Sequence, residues 1–298
     1  MRIDFGLIWY LEIQDKVMLD TSINEDIFDN LPSMPEVVIK VLKLLNNDTT
    51  PNMLLADAVA HDPAMSARIL ALANSPAYGS FSKPTKLDQA IGIIGRSMIK
   101  NIALECSFRS VAPLTGGLGK LFWENAIGCA VSARMIALET KLFDHEEAFI
   151  AGMLCPIGKS VLAMHYGGEY QQILESYVKM HKELSLFEME KFGFTNEMVG
   201  ATLLKKWNLD QTMVEAILHH RDLKNLNPNS NEKLLAMILN ISTAFCEKSG
   251  IGQIVCNEGV DVTRILAAHL LHFKPEQMQQ FYEQFVMSFE NDRNYYLS

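Results

Sequence analysis

The side chains best equipped for chemistry in this chain are an adjacent histidine pair, His219-His220, and the thiol of Cys155. Neighbouring imidazoles could hold a metal or move protons near neutral pH. Successive helical residues point about 100° apart, which argues against both rings meeting one ion. The residues read more simply as helix-end histidines interacting with the C-terminal dipole. Cys155 could be a reactive or sensing thiol, which would need an electropositive, partly exposed setting. Its flanks, Gly152-Met-Leu and Ile157-Gly, instead read as the surroundings of a small buried apolar residue.

The other cysteines are Cys106, Cys129, Cys246 and Cys256. The total of five is odd and none forms a C-x-x-C pair, so free thiols in a reducing compartment are expected. No nucleophile motif surrounds any of them, which sets a Cys/His hydrolase aside. Gly92-Ile-Ile-Gly95 has the form of a backbone-binding loop. Without a basic stripe or flanking strands it reads as a close helix contact. Asn74-Ser-Pro-Ala-Tyr78-Gly79 is a helix stop and turn, with a partner surface as the functional alternative. Ser66–Ala73 is too apolar for a groove-reading helix.

These residues must be positioned by a chain of 298 residues, 49% hydrophobic and 20% charged, which is ordinary globular composition. The formal net charge is -9, from 35 acidic and 26 basic residues, so a free nucleic-acid binder is not expected. The longest apolar runs carry charges or stop short of the roughly 18 residues of a membrane span. The N-terminus has Asp4 early, Glu12 inside its apolar stretch and no small-residue cleavage site, so it is a poor signal peptide. It is expected to be a short docked strand or helix, or the product of an upstream start with Met18 as initiator. The expected location is cytoplasmic.

Helix signals dominate from Leu31 onward and strand alternation is nearly absent. Ser33-Met-Pro-Glu36 reads as a capping box, Thr50-Pro51 and Asp62-Pro63 as cap-then-proline starts, and Thr85-Lys-Leu-Asp88 as a further capping box. Residues 31–110 therefore predict about five short helices, closed by the Pro/Gly stretch 111–119 as a hinge. A long helix follows over 120–141, with Trp123, Ile127, Val131 and Met135 on one face. Further helices are expected over 148–154, 168–181, 195–207, 210–220, 233–247, 260–272 and 275–290, with a polar loop over 221–232. The fold class is all-α: two packed helical subdomains, at 28–113 and 114–298, after an N-terminal extension at 1–27.

Several stretches resemble the HDOD (HD-related output domain) family. LPSMPEVVIKVLKLLNND, DPAMSARILALANSPAYG and IGIIGRSMIKNIAL are similar to its N-terminal half. FWENAIGCAVSARMIA, EEAFIAGMLCPIGKSVL and GATLLKKWNLDQTMVEAILHH are similar to its second half, over roughly residues 28–225 in all. That half derives from HD-type metal phosphohydrolases. In those, histidines and carboxylates hold divalent metal, which activates water and stabilises phosphate charge.

The resemblance allows a position-by-position reading. The first metal histidine falls on Asn125, the His-Asp pair on Cys155-Pro156, a later histidine on Asn196 and the late aspartate near Thr243. His219-His220 remains. Proline offers no lone pair, and the amides and hydroxyl offer at best neutral oxygens. Neither a hard-metal site nor a zinc site is expected, and no cofactor.

The resemblance implies a non-catalytic bacterial signal-transduction module acting in trans on kinases, receiver domains or cyclic-dinucleotide enzymes. No nucleic-acid or membrane partner is expected, and the oligomeric state stays open. The alternative is a residual metal-dependent phosphohydrolase or a nucleotide-sensing protein using the ancestral pocket. A third reading makes the emptied pocket a small-ligand sensor.

Overall fold

A computed structural model describes residues 26–78, 83–112, 117–180 and 183–297. The extension through residue 25, Gly79 and the middle of the Pro/Gly stretch lie outside the described residues. The described chain is helical throughout, with no strand among the described residues.

Six helices precede the Pro/Gly break: α1 (Asp26–Asp29), α2 (Glu36–Leu45), α3 (Asn52–Val59), α4 (Pro63–Ala73), α5 (Leu87–Ile94) and α6 (Arg96–Val111). Asp62 caps α4 as expected, accepting from the Met65 N–H at 3.0 Å with Pro63 in the first turn. The other caps expected before the Pro/Gly break are absent. α2 starts after Pro35 and α3 after Pro51, both prolines being extended rather than helical, and neither start has a side-chain cap. Proline's own carbonyl accepts the first helical bonds in each case, which leaves Thr50 one residue and Ser33 two residues too far upstream. α5 starts after Lys86, again without a side-chain cap, so Thr85 does no capping. Gly92 does sit at a close contact, 3.2 Å from Asn52 Nδ2 for an added Cβ, whereas Gly95 is a turn at φ +81.

α7 (Gly117–Thr140) runs through the middle of the fold. Trp123, Ile127 and Val131 are buried, but so are Asn125, Ala126, Gly128, Cys129, Ala130, Ser132 and Ala133. A helix buried around its circumference is a hub rather than an amphipathic cover. α8 (His145–Leu154), α14 (Asn231–Ser249) and α16 (Pro275–Leu297) pack against it. The α7–α8 approach is set by Gly152, where an added Cβ would stand 2.5 Å from the Cys129 carbonyl oxygen.

The remaining helices are α9 (Ile157–Tyr166), α10 (Gly168–Met180), α11 (Leu184–Phe192), α12 (Asn196–Lys206), α13 (Gln211–His219) and α15 (Leu266–Leu270). α9 and α11 have no counterpart in the sequence expectation. The expected helix over 260–272 is instead a 3₁₀ turn, Val262–Arg264, and the five-residue α15, with Ile265 extended between them. Val260, Val262, Thr263 and Ile265 crowd that stretch with β-branched side chains.

Gly117–Thr140 and His145–Tyr166 are long and apolar enough by composition to cross a membrane, but 72% of each window is buried inside the fold. Both carry charges, as read from the sequence, among them Lys120, Glu124 and Arg134 in the first and Glu146, Glu147 and Lys159 in the second, and the second is broken at Cys155-Pro156. The buried apolar residues form one continuous core from Ile27 to Phe289.

Arg96 ties the start of this core together. Its guanidinium donates to the carbonyls of Leu44, Leu45, Asn47 and Thr50 at 2.8–3.3 Å, satisfying the C-terminal end of α2 and the turn beyond it. Arg96→Ala is expected to lower the unfolding free energy by about 2 kcal/mol, read from the urea midpoint at unchanged slope. Arg96→Lys should recover only part of it, because an ammonium lacks the planar fork.

Candidate functional site

A cavity of about 300 Å³ opens where α9, α11, α12 and α14 converge, with Lys159, Ser185, Asn196, Glu197, Asn240 and Glu247 contributed by those helices. Arg221, just beyond α13, and the loop residues Gly252, Gln253 and Ile254 complete this part of the wall. α9 and α12 cross so closely that a Cβ on Gly158 would overlap the Asn196 carbonyl oxygen. That crossing puts Lys159 and Asn196 on adjoining walls.

A chain of polar contacts runs from the buried interior to the cavity wall. Tyr170 donates its hydroxyl to Glu188 Oε1 at 2.7 Å, and the Asn196 backbone N–H donates to Glu188 Oε2 at 2.8 Å. The Asn196 side-chain amide bridges two acids, donating to Glu188 Oε2 at 3.0 Å and to Glu197 Oε1 at 3.1 Å. Arg221 then joins two more: Nε lies 3.9 Å from Glu197 Oε1, and Nη2 donates to Glu247 Oε1 at 2.5 Å. Arg221 is 38% exposed at the cavity wall, while Glu197 and Glu247 are 9% and 14% exposed.

Their protonation follows from these surroundings. Burial pushes the Glu188 carboxyl up to about 7, with the negative charge of Glu197 adding to it and the hydrogen bonds of Asn196 and Tyr170 opposing it. Burial alone would raise Glu197 and Glu247 too, but the facing cations outweigh it and both are lowered. For Glu197 the opposing charges are those of His220 and Arg221. Because burial and the Arg221 charge hold His220 down to about 4, Arg221 is the cation that stabilises Glu197 at neutral pH. Arg221 is itself raised, Glu247 outweighing its burial.

The residues singled out from the sequence separate into three groups. Cys155 and His220 meet: the sulfur lies 3.7 Å from Nε2, and Nδ1–H donates to the Ile217 carbonyl at 2.8 Å at the end of α13. Burial raises the Cys155 thiol well above its ordinary range, so it stays protonated. Asn196 lines the cavity. The rest do not line it. Asn125 is buried and donates to the Ile251 carbonyl at 3.4 Å, and Thr243 donates to the Asn240 carbonyl at 3.0 Å. Pro156 is buried at the α8–α9 junction. His219 turns away and faces Glu215, with Nε2 3.6 Å from the carboxylate.

The donor set does not fit a divalent cation. Pro156 cannot ligate, His220 commits Nδ1 to backbone and turns Nε2 to a protonated thiol, and the two nearest acids hold a guanidinium. Among the described residues no group of three or more His, Cys, Asp or Glu is placed to hold a metal.

A family model, the HDOD domain, matches residues 31–223. The chain belongs to the HDOD family. An HDOD domain protein of unknown function from Geobacter sulfurreducens superposes with a TM-score of 0.70 at 18% identity, over 96% of this chain and 95% of its own. A Marinobacter aquaeolei protein described provisionally as a signal transduction protein gives 0.69 at 19%, over 95% of this chain and 64% of its own. A Shewanella amazonensis protein described provisionally as a phosphohydrolase gives 0.67 at 22%, over 87% and 91%. At these identities the likeness is one of fold. An uncharacterized protein of Treponema pallidum is 22% identical over 240 residues, and this HDOD chain spans only 45% of its length.

The charged residues of the site were not singled out from the sequence, yet they sit at helical offsets from positions that were. Lys159 is four residues after Cys155 and Glu247 four after Thr243, while Glu197 and Arg221 follow Asn196 and His220 directly. Asking what charge stands next to each ligand position, or one turn after it, would have found them.

Two outcomes follow from this packing and protonation. Gly158→Ala should destabilise the fold by about 3 kcal/mol or more, because the clash is with backbone, measured by chemical denaturation. His220, lowered in the fold from 6.5 to about 4, binds fewer protons folded than unfolded between those values. Its contribution is therefore present above pH 6.5 and lost as pH falls through about 4. Glu188 acts oppositely: its contribution is complete below its ordinary 4.5 and lost as pH rises through about 7. Unfolding free energies across this range should rise more steeply with pH in the wild type than in His220→Gln. Equal slopes would contradict the placement of His220.

Proposed function

We propose that this HDOD chain is a non-catalytic bacterial signal-transduction module that acts through protein partners in trans, of the kinase, receiver or cyclic-dinucleotide-enzyme kind. The observation that carries the non-catalytic part is the Arg221 guanidinium paired with Glu197 and Glu247. A metal phosphohydrolase needs carboxylates free to offset a divalent ion and an open position for water. Here those carboxylates are spent on a fixed side-chain cation. The only imidazole among the singled-out residues that is buried nearby faces a thiol instead of an open site. The partner-directed part is supported by family membership.

Protein purified without chelators should carry metal well below stoichiometric amounts and should not hydrolyse phosphomonoesters or cyclic dinucleotides. Stoichiometric manganese, iron or nickel accompanied by turnover would overturn the reading. Affinity capture from the native host followed by mass spectrometry is expected to recover a signalling protein, and repeated recovery of none would count against action in trans.

A further inference from the structure

The cavity wall carries more cationic donor capacity than the protein itself uses. Lys159 lines it, half-buried, and its ammonium forms no ion pair or hydrogen bond with any described residue. That leaves three donors uncommitted. Arg221 lines the same space, and Nη2 alone of its nitrogens donates a hydrogen bond, to Glu247. Nε faces Glu197 at 3.9 Å, beyond hydrogen-bond distance, and Nη1 has no hydrogen-bond partner among the described residues. Of the acids on this wall, Glu197 and Glu247 are engaged with Arg221, and Glu183 is exposed. Lys159 therefore acts on Glu247 only at a distance, with no ion pair of its own.

We propose that this cavity binds a compact organic phosphate, with its anionic group held between Lys159 and Arg221. A phosphate monoester presents several terminal oxygens and close to two charges, which suits an ammonium and a guanidinium acting together better than a carboxylate does. Phe122 and Leu174 on the same wall supply apolar surface for the organic part. About 300 Å³ is the lower end for small-molecule clefts, which favours a mononucleotide-sized ligand over a dinucleotide. The proposal rests on the non-catalytic reading of the cavity and turns it into a sensor: the ligand is held and not consumed.

The test is calorimetric titration of the full chain with adenosine 5′-monophosphate and with inorganic phosphate, using adenosine as the uncharged control. The reaction mixtures are also assayed for released phosphate. Both anions are expected to bind and to raise the melting temperature by mass action, and adenosine is expected to do neither. Lys159→Gln should weaken binding of both anions by about tenfold or more while leaving the ligand-free melting temperature nearly unchanged, since it breaks no hydrogen bond or ion pair and keeps most of the side-chain stem. Absence of binding by both anions, or equal affinities in wild type and Lys159→Gln, would overturn the proposal. Release of phosphate from the bound monophosphate would overturn the non-catalytic reading while upholding the site.

Discussion

A 24-residue helix buried around most of its circumference has to be enclosed by other helices, and α7 imposes that requirement on the whole second half of the chain. Enclosure at close range demands small residues where backbones meet. α7 supplies a run of Gly, Cys, Ala and Ser, and α8 supplies Gly152 opposite it. The cost is that almost no polar group on α7 can be left unpaired, since burial without a partner is worth about 1–3 kcal/mol against the fold. Asn125 is answered by the Ile251 carbonyl, while Cys129 meets Cys246 at 3.7 Å as a thiol pair rather than a bridge. An unpartnered Ser132 hydroxyl marks where that accounting stays incomplete.

With the hub enclosed in apolar contacts, the most deeply buried carboxylates gather where α11, α12 and α14 meet. There, charges are arranged in alternation: acid, amide, acid, guanidinium, acid, from Glu188 through Asn196, Glu197 and Arg221 to Glu247. Each carboxylate has a donor, and the one most deeply buried, Glu188, also has the highest proton affinity. Such a network fixes the relative position of three helices through directional contacts that apolar packing alone does not supply. It also gives the pocket a rigid floor, which a binding site needs whether or not chemistry happens there.

Much of the fold could be read from the chain itself. α7 was visible because Trp123, Ile127 and Val131 repeat at helical spacing, and α12 and α13 fall within the expected 195–207 and 210–220, where Thr195 and Asp210 cap them. α9 was hidden by Pro156, which reads as a breaker but serves here as the residue before a new helix. The Ser33 and Thr50 caps failed because a proline that stays extended takes the cap position itself, two residues on from Ser33 and one from Thr50. The site was legible only in its losses. Asn125, Pro156 and Asn196 could be seen to lack ligand chemistry, but the cation that now occupies the region belongs to no motif. Its meaning depends on Glu197 and Glu247 arriving from two different helices, which no local pattern in a single sequence reveals.

The segment just before α2 is held by a distant part of the chain: Lys206 donates to the Leu31 carbonyl at 2.7 Å and the Trp207 indole to the Pro32 carbonyl at 3.0 Å, each across 175 residues. During synthesis Leu31 and Pro32 leave the ribosome long before Lys206 exists. Their carbonyls must stay solvated until the end of α12 has emerged and docked. Closing so long a loop is slow compared with forming any helix, so the early helices assemble first and the entry strap is sealed late. A ribosome pause before residue 206 would thus leave the amino-terminal helices formed but unfastened, at the stage when a chaperone or a misdirected contact has most access to them.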